Sequence, residues 1–157
     1  MMSEEAYYFT QRICFNTYAT NRSFGRFFQS ILSDTGLTYP KFVILNSLKD
    51  AGPLTVSDLS IRAGVEPNTL SPMLKKMAEF GAITRERNPD DERRVMIALT
   101  EKGRVLLERA DAVVQQGFTE LGLDYEKSIA AVQYLEDLRI KLDKADPPKL
   151  KLDDLPD

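Results

Sequence analysis

The chain has no histidine, no tryptophan and a single cysteine among its 157 residues. Without histidine, the usual general base of nucleophilic hydrolases is missing, and so is a common metal ligand. One cysteine cannot close an internal disulfide or complete a thiolate zinc site, so a reducing, cytoplasmic setting is expected. No apolar run approaches the length needed to cross a bilayer. The acidic start MMSEEAYYF lacks the basic and apolar regions of a signal peptide. Neither a metal nor a cofactor is expected. A hydrolase triad is excluded. An enzyme using carboxylates alone is not, but no pair of acids stands out, and the expectation is a protein that is not an enzyme.

Charge of either sign is unremarkable: 21 Lys and Arg stand against 24 Asp and Glu, a net charge of −3. The balance is uneven along the chain, +1 over residues 57–104 and −4 elsewhere. Charge therefore neither demands nor forbids a nucleic-acid partner.

Apolar periodicity carries more. Over residues 4–32, Phe9, Ile13, Phe15, Phe24, Phe27, Phe28, Ile31 and Leu32 recur at helical spacing, which predicts a long first helix with an aromatic stripe. Asp34-Thr35-Gly36 breaks it. Thr38 is placed to cap a second helix that tolerates Pro40 in its first turn and ends at Gly52-Pro53. A short helix follows from Thr55 to Ala63. Gly64 turns the chain into another, over residues 67–80, with Leu70, Met73, Leu74 and Met77 on one face. This is a helix-turn-helix pattern, which paired core helices also produce. The next segments sharpen it. Residues 82–87 and 94–99 read as two strands around an Asn88-Pro89-Asp90-Asp91 turn, giving a β-hairpin with a charged tip. Thr100-Glu101-Lys102-Gly103 then caps a long helix. A last helix aligns Tyr125, Ile129, Val132, Leu135, Leu138 and Leu142 on one face.

The expected fold is mainly α with a small β-hairpin wing, a winged helix-turn-helix in a single domain. Residues 37–103 form the winged lobe, 1–36 and 104–145 long terminal helices, and 146–157 a flexible tail. In such a fold a helix enters the DNA major groove. Asn68, Thr69 and Ser71 begin that helix and are candidates for base or phosphate contacts, while Lys75 and Lys76, a turn further, suit phosphates. Arg93 and Arg94 at the hairpin tip suit a neighbouring minor groove. Asp91 is read as orienting a guanidinium by a charge-assisted hydrogen bond. For each charge a solvated face is the plain alternative.

The segment 55–110 resembles the MarR family of bacterial winged-helix regulators. The resemblance rests on Leu54-Thr55-Val56-Ser57-Asp58-Leu59, Thr69-Leu70-Ser71-Pro72-Met73-Leu74-Lys75-Lys76-Met77, and the wing pattern Asp91-Glu92-Arg93 followed by Leu99-Thr100-Glu101-Lys102-Gly103. It implies a homodimer with entwined terminal helices, bound to a pseudo-palindromic operator on double-stranded DNA, usually as a repressor. Ile13-Cys14-Phe15-x-x-Tyr18-Ala19-Thr20 and Leu37-Thr38-Tyr39-Pro40 resemble the organic-hydroperoxide-sensing (OhrR-type) branch more narrowly. That resemblance implies that Cys14 is oxidised and DNA then released. It also implies that Tyr39 reaches the cysteine of the partner subunit. Tyr18 lies one turn from Cys14 and is placed to reinforce it.

Two departures stand out. Phe28 occupies the position of the branch's second sulfur-binding tyrosine, and Glu66-Pro67-Asn68 replaces a usual D-S-G. The alternative for Cys14 is a small buried apolar residue. The inducer would then be an aromatic or lipophilic molecule in a pocket lined by Phe24, Phe27 and Phe28.

Overall fold

The computed structural model describes residues 11–88 and 91–146, without the side chains of Asn88, Glu92 and Arg93. Six helices and a three-stranded antiparallel sheet are present among them. The expected winged helix is what the chain adopts.

Helix α1 runs Ile13–Ile31, and the earlier part of the expected first helix lies outside the described residues. A 3-10 turn, Ser33–Thr35, ends at Gly36 with φ 74°, a left-handed conformation that glycine adopts without penalty. Helix α2 spans Tyr39–Ala51. Thr38 stands at its N-cap, but its side chain makes no cap hydrogen bond. The helix start is supported instead by Pro40, whose missing N–H costs nothing in the first turn.

Strand β1, Leu54–Thr55, was not anticipated, because two residues are too few to show an alternation. It runs straight into α3, Val56–Ala63. The Thr55 hydroxyl accepts from the Asp58 N–H at 3.1 Å and donates to Asp58 Oδ2 at 2.6 Å, so residue and cap fix each other. The turn after α3 is locked twice. Val65 N–H bonds the Ser60 carbonyl at 3.1 Å, and the Ser60 hydroxyl donates to the Val65 carbonyl at 2.7 Å. Helix α4, Pro67–Glu79, follows at once. Leu59, Leu70 and Leu74 are buried together with Ile44, Leu45 and Leu48 of α2 and Ile97 of the sheet, forming the core of the lobe.

Strands β2, Ile83–Asn88, and β3, Asp91–Leu99, form the wing, with β3 in the centre of the order β1-β3-β2. Here the hairpin closes where the Asn88–Asp91 turn is expected, but Arg93 and Arg94 fall within β3 instead of at the tip. Arg87 faces Val95, but Asn88 faces Asp91, so the register skips Glu92, Arg93 and Arg94. These residues form a bulge within β3 rather than the hairpin turn, and a bulge re-aims side chains by sharpening local twist.

Helix α5 is Glu101–Glu120. Thr100 Oγ1 accepts from the Gly103 N–H at 3.0 Å and donates to the Gly81 carbonyl at 2.7 Å, tying the helix start to the end of α4. Gly117 of α5 lies against α1, where a Cβ would stand 3.0 Å from Phe27 and 3.5 Å from Ile31.

Two compact units divide at Gly117 and Phe118. The second contains α6, Tyr125–Lys144, capped by Asp124, whose carboxylate accepts from the Lys127 N–H at 2.9 Å. None of its residues is buried. Tyr125, Ile129, Val132, Leu135 and Leu142 are exposed on its apolar face, and Leu138 is half-buried. The expected tail falls almost wholly outside the described residues. No described helix is long and apolar enough to cross a membrane.

Candidate nucleic-acid interface and cysteine site

Helix α4 offers its first turn to solvent. Asn68, Thr69 and Ser71 are all exposed, while Leu70 and Leu74 anchor the opposite face in the core. Pro72 sits inside this helix. It brings no N–H, so the Asn68 carbonyl lacks its usual donor four residues on, leaving an extra acceptor at the exposed end. Lys75 and Lys76 are exposed a turn later. Lys75 stands 4.0 Å from Glu79, a loose pair that leaves the ammonium available.

In the wing, Asp91 is exposed at the first position of β3. The Arg93 side chain lies outside the described residues, and with it the expected Asp91–Arg93 arrangement. Arg94 Nη2 stands 3.9 Å from Asp58 Oδ2, the same carboxylate oxygen that accepts from Thr55. Arg94 thus spans from β3 to the start of α3. Arg85 and Arg87 are exposed on β2 as well. Their i, i+2 spacing on a strand places both on one face, a signal that the sequence carries.

The cysteine lies in the other part of the lobe's unit. Cys14 is the second residue of α1 and is exposed in the single chain. Tyr18, one turn on, is 58% exposed. Its hydroxyl accepts from Arg22 Nη1 at 3.1 Å, and the guanidinium carbon lies 5.7 Å from its ring centroid. The phenolic hydrogen remains available as a donor.

Tyr39 is elsewhere. Its ring stacks on Phe28 with centroids 4.0 Å apart and an interplanar angle of 24°. Phe28 is 5% exposed and also contacts Phe24, Phe27 and Phe42 at centroid distances of 6.4, 5.7 and 6.2 Å. Phe24, Phe27 and Phe28 therefore pack among themselves and against α2. Two open grooves lie on a different face, lined by other residues. Fourteen residues of helix separate Cys14 from Phe28, roughly 20 Å at the helical rise. Within one chain, Tyr39 does not reach Cys14. Among the described residues no group of three or more His, Cys, Asp or Glu is close enough to hold a metal ion.

A three-stranded sheet with a wing following a helix-turn-helix, with the second of those helices presenting polar residues outward, defines a winged-helix fold. Residues 26–110 match the transcriptional regulator SarA/Rot family, and the chain belongs to that family, within the MarR type. It is 38% identical over 99 residues to the organic hydroperoxide resistance transcriptional regulator of Bacillus subtilis, covering 63% of this chain and 67% of that one. It is 35% identical over 120 residues to the transcriptional regulator TtmR of Methylorubrum extorquens, covering 75% of this chain and spanning only 62% of TtmR. Reduced AbfR bound to DNA superposes with a TM-score of 0.71 at 28% identity, covering 84% of this chain and 92% of that one. AbfR is also known overoxidised on DNA and with a disulfide formed.

Proposed function

We propose that the chain is a dimeric repressor that binds a pseudo-palindromic operator through α4 and the wing, and that organic hydroperoxides release it by oxidising Cys14. The observation that carries the redox half is the exposure of Cys14 in the first turn of α1, with Tyr18 one turn on. Kinship with a hydroperoxide-resistance regulator supports it. A solvent-accessible thiol meets one requirement of a redox sensor, access for the oxidant.

The chemistry balances with one oxidant and one thiol. The Cys14 thiolate attacks the distal oxygen of the hydroperoxide. An S–O bond forms, the O–O bond breaks, and the alkoxide leaves as the alcohol after taking a proton. With no second cysteine in the chain, the sulfenic acid next condenses with a low-molecular-weight thiol, forming an S–S bond and releasing water. That AbfR is known on DNA in its overoxidised form favours the mixed disulfide as the releasing state, because it adds bulk as well as polarity.

Tyr39 enters only through a second copy. Its stacking partner Phe28 lies roughly 20 Å along α1 from Cys14, so a partner subunit would have to bring the sulfur to its hydroxyl. The apolar face of α6, with no residue buried, supports the dimer on its own account, because a solvated stripe of that length is a liability in a monomer. On DNA, Asn68, Thr69 and Ser71 face base edges or phosphates, Lys75 and Lys76 face phosphates, and Arg93 and Arg94 enter a neighbouring minor groove. Two half-sites about one DNA turn apart make binding sensitive to small changes in helix spacing.

A duplex selected by the protein from a random pool tests the reading. Shift assays before and after cumene hydroperoxide plus a small thiol should show release for the native chain and none for Cys14→Ser. Release in both, or in neither, contradicts the redox half. Failure to select any duplex contradicts the DNA half.

A further inference from the structure

The wing meets the helix-turn-helix at an exposed ion pair whose two members are held very differently. Thr55 is buried on β1, where it pairs with Met96 of β3. Its hydroxyl donates to Asp58 Oδ2 at 2.6 Å, and the Asp58 N–H donates to the Thr55 hydroxyl oxygen at 3.1 Å. Asp58 is thereby fixed in the first turn of α3, where the helix dipole favours a carboxylate.

Arg94 is held loosely. Its Nη2 stands 3.9 Å from the same Asp58 oxygen, and 55% of its side chain is exposed. A pair of this kind opens readily in water and contributes little to the fold. Arg94 also lies in the bulge of β3, where the ladder to β2 is interrupted.

A fixed carboxylate beside a loosely held cation competes with any other anion that approaches. Duplex phosphates and Asp58 seek the same guanidinium. Asp58 cannot follow Arg94 into a groove, because Thr55 holds it, and its own charge opposes that of the phosphates. Arg94 leaves Asp58 where the negative potential of the DNA is the stronger attraction. That potential is deepest where the minor groove narrows, as in A·T tracts.

We propose that Asp58 is a specificity-determining residue for DNA, withholding Arg94 from an ordinary duplex and yielding it to a narrow minor groove. The proposal rests on the DNA-binding reading of the wing and names the feature of the duplex that the wing discriminates. It gives Asp58 and Arg94 opposite effects on affinity, although the two side chains are partners. An anchoring role for Asp58 requires the reverse, that its loss weakens binding.

Two duplexes that share the selected core, flanked at the wing by an A·T tract or a G·C tract, test this by fluorescence anisotropy with the full chain. The native protein should prefer the A·T flank. Asp58→Asn keeps an oxygen to accept from Thr55 and should tighten binding to the G·C-flanked duplex about twofold to fivefold, the equivalent of an exposed ion pair. The gain on the A·T flank should be smaller, so the preference narrows. In an Arg94→Ala background, Asp58→Asn should leave the preference unchanged, because no guanidinium remains to be withheld. Asp58→Gln supplies a second neutral side chain if Asp58→Asn folds poorly. Weaker binding by the neutral variants, an unchanged preference, or a narrowing that persists without Arg94 overturns the proposal. So does a native protein indifferent to the flank. A native protein that binds neither duplex overturns the DNA-binding reading itself, and the role of Asp58 with it.

Discussion

Gly103→Ala should destabilise the fold sharply, although it replaces a helical glycine with the best helix former. At Gly103 an added Cβ would stand 2.1 Å from the Ala82 carbonyl oxygen and 2.8 Å from Leu99 Cδ1. Real contacts of this kind keep at least about 3 Å, so α5 or the entry to β2 must move by about 1 Å. The Ala82 carbonyl cannot yield freely, because it accepts the Thr100 N–H at 3.1 Å, and Ala82 itself is buried. Overpacking costs about 1–3 kcal/mol, and weakening that backbone hydrogen bond adds about 1 kcal/mol. Helix propensity returns at most about 1 kcal/mol. The net loss is about 1–3 kcal/mol, which lowers the melting temperature by about 3–10 °C for a chain of this size. Gly25 is the control. It lies in the interior of α1 with nothing within 4 Å of an added Cβ, so Gly25→Ala should raise stability by up to about 1 kcal/mol. Thermal unfolding by circular dichroism at one fixed protein concentration reads both. A Gly103→Ala protein as stable as the native chain would refute the close approach of α5 to the wing.

Other perturbations test other parts. Lys76→Ala should lower affinity for the selected duplex and reduce the slope of log affinity against log salt by about 0.9, the signature of one lost phosphate contact; fluorescence anisotropy across a salt series measures it, and an unchanged slope removes Lys76 from the interface. Arg94→Ala should weaken DNA binding while leaving helical content intact, since the Arg94–Asp58 pair is exposed and contributes little to folding; loss of circular dichroism signal would make Arg94 structural instead. Leu135→Asp combined with Leu138→Asp should yield aggregated or unfolded protein, and a well-folded monomer in analytical ultracentrifugation would contradict dimerisation through α6. Lys49 is held above its ordinary pKa by its hydrogen bond to Asp111 at 3.0 Å and by that carboxylate's charge. Because the folded pKa exceeds the unfolded one, the contribution is fully present at neutral pH and is lost as pH rises through the raised value. The stability difference between the native chain and Lys49→Met should therefore shrink above pH 10, and a difference that grows there would contradict the pairing.

The helix-turn-helix was legible because Leu70, Leu74 and Met77 repeat at helical spacing and Gly64 marks the turn. The wing was legible as two strands, and Asn88 pairs with Asp91 where residue type marks the turn. The bulge at Glu92–Arg94, which takes Arg93 and Arg94 into β3, is a feature that local propensity does not reveal. Strand β1 escaped because its two residues gain extended structure only by pairing with Met96 and Ile97, a tertiary effect. At the cysteine site, helical spacing correctly placed Tyr18 a turn from Cys14. No pattern in the sequence shows that Tyr39 stacks on Phe28, because that contact is made between helices. The grooves around Phe80 were equally hidden, since their walls come from segments up to 75 residues apart, from Asp34 to Arg109.

The most direct test of the central claim follows one sample through oxidation. The protein is bound to its selected duplex, treated with cumene hydroperoxide and a small thiol, and read by anisotropy while intact mass spectrometry reports the state of Cys14. The account requires that DNA release rise in step with formation of the mixed disulfide, and that Cys14→Ser stay bound throughout. Full operator affinity in a sample whose Cys14 is wholly converted to the mixed disulfide would contradict it.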